Sequence, residues 1–364
     1  MDPIPQFSHS YAEARTKFHQ AARARGIAIE THALPELHGI DGEPLAMDVA
    51  LLGAPDATGL LVLTSGTHGI EGYCGSGCQV GLLRDVGFVA AVERGGVGVL
   101  FVHAVNPHGF SHGRRVNEDN ADLNRNFRDF GEPAPVNAAY AEIHPLLLPA
   151  TWPPPAANEQ KIAAYIAAHG ERAYQAAVSG GQYAFPDGLF YGGARAAWSN
   201  LTLHAVLRRH GSRRHRLGWI DFHTGLGPRG HGEKIYAGRD VPADLARTRA
   251  WWGGDVTSFR DGSSTSAPIT GIVTDAAYAE CRGAEFAAIA LEYGTLPLPD
   301  VFAALRADHW LHNHPEAPAA QRAAIRQQMR DAFYGDADDW KLAVYTQARE
   351  NALKAVTRLA PHLS

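Results

Sequence analysis

Cysteine and methionine are scarce in this chain, three of each among 364 residues, and no apolar run approaches the length needed to cross a membrane. The cysteines, Cys74, Cys78 and Cys281, are too few for a disulfide framework, and their odd number fits a reducing cytoplasm. The N-terminal stretch MDPIPQFSHSYAEARTKF lacks a basic segment followed by an apolar run, so no cleaved secretory signal is expected and the location read from the sequence is cytoplasmic. Neither sign of charge dominates. A formal net charge of -5 gives a nucleic-acid polyanion no reason to bind. A G-x-S-x-G nucleophile elbow is also missing; Gly75-Ser76-Gly77 is the nearest approach and falls in a predicted helix, which argues against a serine hydrolase.

What is present is an alternation of apolar strand-like runs and helix-like segments, 45% of the chain being hydrophobic. LAMDVALLG alternates in polarity, and GLLVLTSG, GGVGVLFVHAVNPHG, RLGWIDFHTG and AAIALEYGT are apolar runs that stop at small or polar residues, as buried strands of an α/β sheet do. Helical periodicity covers 73–86, 158–178, 197–210, 317–333 and 340–359. The Pro-rich LLLPATWPPPAANE must be an irregular connection. The expected architecture is one α/β catalytic domain over 1–364: a mixed, mostly parallel central sheet with helices on both faces, a lid or insertion at 131–215, and a helical C-terminal extension at 300–364.

In open α/β sheets, ligands bind outside the carboxyl ends of the strands, and there the sequence places its titratable residues. His68 and Glu71 follow one predicted strand, His223 ends another with Asp221 two residues earlier, and Glu292 ends a third. A nitrogen, a carboxylate and a second nitrogen form a donor set that holds a catalytic zinc with one coordination position open, and Glu292 is a spare carboxylate. Strand alternation puts Asp221 and His223 on one side, so Asp221 can orient a ligand or bond the loop that carries His68. Cys74 and Cys78 share a helix face and read as packing residues. His309, His312 and His314 lack a strand-end context and read as a polar helix-to-loop surface.

A second motif lies between the ligands: Asn106-Pro107-His108-Gly109, then Arg114 and Arg115, then Asp122-Leu123-Asn124-Arg125-Asn126-Phe127. This order of H-x-x-E, arginine, Asn-Arg, histidine and glutamate resembles the zinc carboxypeptidase family over about 45–130 and 215–295. DFHTG and LEYGT look closer to its aspartoacylase and succinylglutamate desuccinylase branch. The resemblance implies a zinc-dependent exopeptidase fold with one zinc per chain held by His68, Glu71 and His223. It implies Glu292 as general base and then general acid, Arg115 at the oxyanion with Arg114 as the alternative, and Asn124 and Arg125 on a substrate carboxylate. An arginine fork beside an amide independently suits a carboxylate. Tyr278 falls in the interval where the family places a mobile tyrosine, so it is a candidate substrate-binding residue. The implied partner is a small peptide or an N-acyl amino acid with a free carboxylate, cleaved by a carboxypeptidase-type or an acyl-amino-acid amidohydrolase reaction. A non-catalytic metal-binding relative would have no need of Glu292.

Overall fold

The computed structural model describes residues 2–361. Its centre is a seven-stranded sheet built from β1 (Ile29–His38), β2 (Pro44–Leu52), β3 (Gly59–Thr64), β4 (Gly98–His103), β5 (Arg216–Arg229), β6 (Gly232–Tyr236) and β7 (Glu285–Gly294). The spatial order is β1-β2-β4-β3-β5-β7-β6. The four middle strands β4, β3, β5 and β7 run parallel, and the outer strands pair antiparallel. The mixed sheet read from the sequence is therefore present, with its parallel part confined to the centre.

Burial explains that division. Every residue of β3, GLLVLT, is buried because helices cover both faces of the sheet. Leu61 and Leu63 enter the apolar cluster shared with the helices Gly72–Arg84 and Asp338–Leu359, while Leu60 and Val62 meet Leu203, Val206 and Leu207 of the helix Trp198–His210. Truncating one such residue, Leu61→Ala, would cost about 2–5 kcal/mol through lost transfer energy and the cavity left behind. The edge strand β1 is largely exposed in its second half. Among the described residues, no helix is long and apolar enough to cross a membrane.

The helices begin or end within a few residues of where periodicity puts them, with one break. The helical pattern across 158–178 is two helices, Ala156–His169 and Glu171–Ser179, because Gly170 between them takes a φ of 89° that no helix contains. A further correction concerns the histidine triplet. The helix Leu298–Asn313 carries His309 inward at 1% exposure, its Nδ1 2.9 Å from the Leu305 carbonyl, so the surface expected there begins only at His312.

The C-terminal helices are part of the main body. Trp340, fully buried at the start of Asp338–Leu359, donates its indole N–H to the Gly294 carbonyl at the end of β7 (2.9 Å). Leu298, Val301, Phe302 and Leu305 of Leu298–Asn313, and Phe333 at the end of Ala319–Phe333, form one side of a cleft above the carboxyl ends of β3, β5 and β7. Gln175, Ser179 and Phe190, from the segment after the Pro-rich connection, also line this cleft.

Candidate metal centre and cleft

Three adjacent parallel strands deliver the acidic and imidazole groups. Register pairs Thr64 of β3 with Asp221 of β5, and His223 of β5 with Glu292 of β7. Side chains alternate along a strand, so Asp221, His223 and Glu292 emerge on one face. β5 itself runs on to Arg229, but its pairing with β3 stops at Asp221, and His223 thus stands where the sheet opens.

His68 and Glu71 sit on the turn after β3. Its backbone is fastened from below: the Gly69 and Ile70 N–H groups donate to the Arg115 and Arg114 carbonyls (3.0 and 2.8 Å). The approach is so close that a Cβ on Gly69 would lie 2.0 Å from the Gly109 carbonyl carbon, which explains the glycine inside H-x-x-E. Gly109 is placed in turn by Asn106, whose Oδ1 accepts its N–H at 2.8 Å. The N-P-H-G turn therefore supports the ligand turn directly.

One donor atom each from His68, Glu71 and His223 lies within 4.8 Å of the others, and all three residues are buried. His223 donates from Nδ1 to Glu71 Oε2 (3.0 Å) and from Nε2 to Asp221 Oδ2 (2.6 Å). Asp221 is held by the hydroxyls of Thr64 (2.6 Å) and Thr67 (2.8 Å), the latter adjoining His68. It thus both bonds His223 and bonds the loop carrying His68, the two contacts anticipated for it. His68 Nδ1 is buried with no hydrogen-bond partner. A buried nitrogen-oxygen-nitrogen set with an unpaired imidazole nitrogen and a carboxylate behind one histidine fits zinc.

The two histidines are electrostatically opposite. Burial, reinforced by the Arg115 charge, holds the His68 pKa well below its usual value. Burial would also lower that of His223, but the Asp221 and Glu71 carboxylates outweigh it and raise it well above.

Arg115 faces this centre. Its Nη1 donates to Glu71 Oε1 (3.0 Å), Nη2 to His68 Nε2 (2.7 Å) and Nε to Asp122 Oδ2 (3.0 Å). Arg114 turns away to Asp308, Asn120 and His312 (3.0, 3.0 and 3.1 Å), so of the two arginines only Arg115 lines the cleft. Asn124 Nδ2 lies 3.4 Å from His223 Nε2, and its Oδ1 accepts the Val273 N–H (2.9 Å). Arg125 is 3% exposed. Its Nη atoms donate to the Asn124 carbonyl (2.8 Å) and the Ser179 carbonyl, leaving Nε buried and unpaired.

Glu292 lies on the other side, its Oε1 accepting the Leu226 N–H at 3.1 Å. Burial, and then the Glu71 charge, push its pKa up to about 8.

Tyr278 does not join this group. Its hydroxyl accepts the Arg239 N–H (3.1 Å), its ring packs edge-on to Phe286, and it forms no part of the cleft lining. It belongs to the short helix Asp275–Glu280 and packs against β7 outside the cleft. Two residues without an assigned role do enter. Asp122, quoted within its motif, bonds Arg115 and lies 3.6 Å from His68 Nδ1; an acid between two arginines was the available signal. Phe190 lines the cleft from the insertion and carried no sequence signal at all.

The fold is that of the metallocarboxypeptidases. The crystal structure of thrombin-activatable fibrinolysis inhibitor matches with a TM-score of 0.55 at 12% identity, over 98% of this chain and 75% of that one. The bovine form of that protein, solved with a tick carboxypeptidase inhibitor, gives 0.51 at 12% identity over 97% and 98%. Carboxypeptidase A from Helicoverpa armigera gives 0.47 at 12% over 89% and 74%. This likeness is one of fold. The chain belongs to the family described as "Protein of unknown function (DUF2817)", whose model matches residues 7–347. A search of curated proteins finds no match.

Proposed function

We propose that the protein is a zinc-dependent hydrolase that cleaves an amide bond next to a free carboxylate, in the manner of a carboxypeptidase. The observation that supports this reading is the meeting, in one cleft, of the His68, Glu71 and His223 donor set with Arg115, Arg125 and Glu292. Zinc held by those three side chains, one ion per chain, supplies Lewis acidity that polarises the scissile carbonyl and makes water nucleophilic near neutral pH. Glu292 takes the proton released by the attacking water and hands it to the leaving amine. Arg115 turns its donors to the oxygen on which negative charge develops. Asn124 and Arg125 hold the substrate carboxylate, for which the unpaired Nε and the remaining Nη protons of Arg125 are available.

The walls select what stands beside that carboxylate. Ile235, Tyr236, Ala237, Ile272, Val273 and Ala290 are apolar, and the charged side chains of the cleft lining are Arg115, Arg125, Asp221 and Glu292. An apolar side chain next to the carboxylate gains its transfer energy against that wall. The 131–215 segment acts as a lid over this wall through Gln175, Ser179 and Phe190, restricting substrates to small ones.

Elemental analysis of the purified chain and of a His68→Ala/His223→Ala variant, paired with hydrolysis of dipeptides, N-acyl amino acids and their C-terminal amides, tests the reading. The expected result is about one zinc per wild-type chain, little in the variant, and turnover confined to substrates with a free carboxylate. A chain that takes up no zinc when zinc is added would overturn it, and which acid is cleaved decides between peptidase and acylase.

A further inference from the structure

Phe190 is the one aromatic residue among the described non-glycine residues at positive φ, at 52°. That left-handed region crowds the Cβ of any L-residue and is a conformation to be explained when a bulky side chain adopts it. The surroundings over-determine it. The Phe190 carbonyl accepts the Gln182 N–H (3.1 Å), the Tyr191 carbonyl accepts the Asp122 N–H (2.7 Å), and Asn126 Nδ2 donates to the Gly192 carbonyl (2.8 Å). The loop is thereby sewn to the segment carrying Asn124 and Arg125.

The ring is set against both buried guanidinium groups. The Arg115 Cζ lies 5.1 Å from the ring centroid and the Arg125 Cζ 5.5 Å. Two like charges lining the same cleft repel each other, and the two carboxylates that bond either of them, Asp122 and Glu71, are both bonded to Arg115. Arg125 spends its own hydrogen bonds on two backbone carbonyls. A π face supplies negative potential to both cations without taking up an N–H that a carboxylate needs. A carboxylate in its place would compete with the substrate.

We infer that Phe190 is a positioning residue, contributed by the insertion, which holds Arg115 and Arg125 apart and aims them at the substrate carboxylate and the oxyanion. The inference rests on Arg125 as the carboxylate-holding group. Its consequence is that the aromatic face, beyond apolar bulk, sets discrimination between a carboxylate and its neutral amide.

The test is calorimetric titration of the zinc-loaded protein with 3-phenylpropanoate and 3-phenylpropanamide, which carry an apolar group and differ in charge. Wild type and Phe190→Tyr, which keeps the ring face, should prefer the acid; Phe190→Leu should lower that preference about tenfold while binding of the amide changes little. Should the leucine variant not fold, Phe190→Met removes the ring with more adaptable packing and carries the same comparison. A preference unchanged in the ring-less variant, with only its thermal midpoint lowered, would show Phe190 to be packing alone and overturn the inference while leaving the Arg125 reading intact. Equal binding of acid and amide by wild type would remove Arg125 from its role, and the inference with it.

Discussion

The arginine side of the cleft and its β7 side each hold a buried carboxylate, Asp122 behind Arg115 and Glu292 in the lining, and treat them in opposite ways. Asp122, on the arginine wall, is buried, yet Arg115 foremost, with His68 and Arg125, outweighs the burial penalty and holds its carboxyl well below the usual range. Glu292, on the β7 wall, has a backbone N–H and no cation bonded to it, and burial together with Glu71 lifts it to about 8. Burial depth therefore does not decide protonation; the partner does. One wall carries a permanently ionised framework, and the other a carboxyl able to exchange a proton near neutral pH, the separation of roles that general acid-base work requires.

The largest expected effect breaks the proton-exchanging wall. Glu292→Gln should lower kcat by about 10²–10⁴-fold, the usual contribution of a positioned general base. The variant should retain its zinc, because Glu292 lies outside the donor set. Steady-state kinetics with elemental analysis checks this. Retained turnover would move the base elsewhere.

Next in size is the ionised wall. Asp122→Asn removes one of the two carboxylates bonded to Arg115 and leaves Glu71 as the other, so the zinc-stripped protein should lose about 1.5–3 kcal/mol in urea denaturation at pH 7. Zinc must be absent because ligand binding adds its own stabilisation. The Asp122 carboxyl is depressed in the fold, so its contribution is present above its unfolded pKa and disappears as pH falls through the folded value.

The sign reverses for Glu292, which sharpens the contrast. Its folded pKa is raised from 4.5 to about 8, so between those values the folded state binds more protons than the unfolded one and stability falls as pH rises. Zinc-stripped Glu292→Gln should consequently exceed wild type in stability, by a margin that is small at pH 5 and widest at pH 8. Denaturation midpoints across that range read it. A constant margin would show that Glu292 is ionised throughout.

A smaller effect concerns the group behind the proposed metal ligand His223. Asp221→Asn leaves His223 in place but removes the negative charge 2.6 Å from its Nε2 and one of the two oxygens that accept from His223, Thr64 and Thr67. Zinc affinity should fall about 10–100-fold by competition with a chelating dye. Since His223 bonds two carboxylates and Glu71 faces its Nδ1, zinc uptake by wild type should release about one proton, visible as a buffer-dependent binding heat.

How much of this could be read beforehand depends on how local the cause is. The strands, the donor set and the spare carboxylate were legible, because each follows from a short apolar run ending in a titratable residue. Asp221 behind His223 was legible for the same reason, being two residues away on one strand. Phe190 was not, since its left-handed backbone and its two arginine neighbours arise from hydrogen bonds to a segment more than 60 residues earlier. The inward turn of His309 is likewise decided by packing, which periodicity does not see, whereas the break at Gly170 is local to a glycine at positive φ.

Tyr278 gives the smallest expected effect and the sharpest check on where the cleft ends. It falls in the interval before Glu292 where the family places a tyrosine, without a matching spacing, and an interval fixes neither the direction of a helix nor the face a side chain takes. Here its ring lies under the Arg239 guanidinium at 4.1 Å and against Phe286 at 5.0 Å. Burial raises the hydroxyl pKa, and that hydroxyl is committed to a backbone N–H. Tyr278→Phe removes one such acceptor at a site apart from the two walls, and kcat/KM should stay within about twofold of wild type with a stability loss of about 1 kcal/mol. A tenfold fall in kcat/KM at unchanged stability would mean that Asp275–Glu280 swings inward during turnover, and that the cleft has a third, mobile wall.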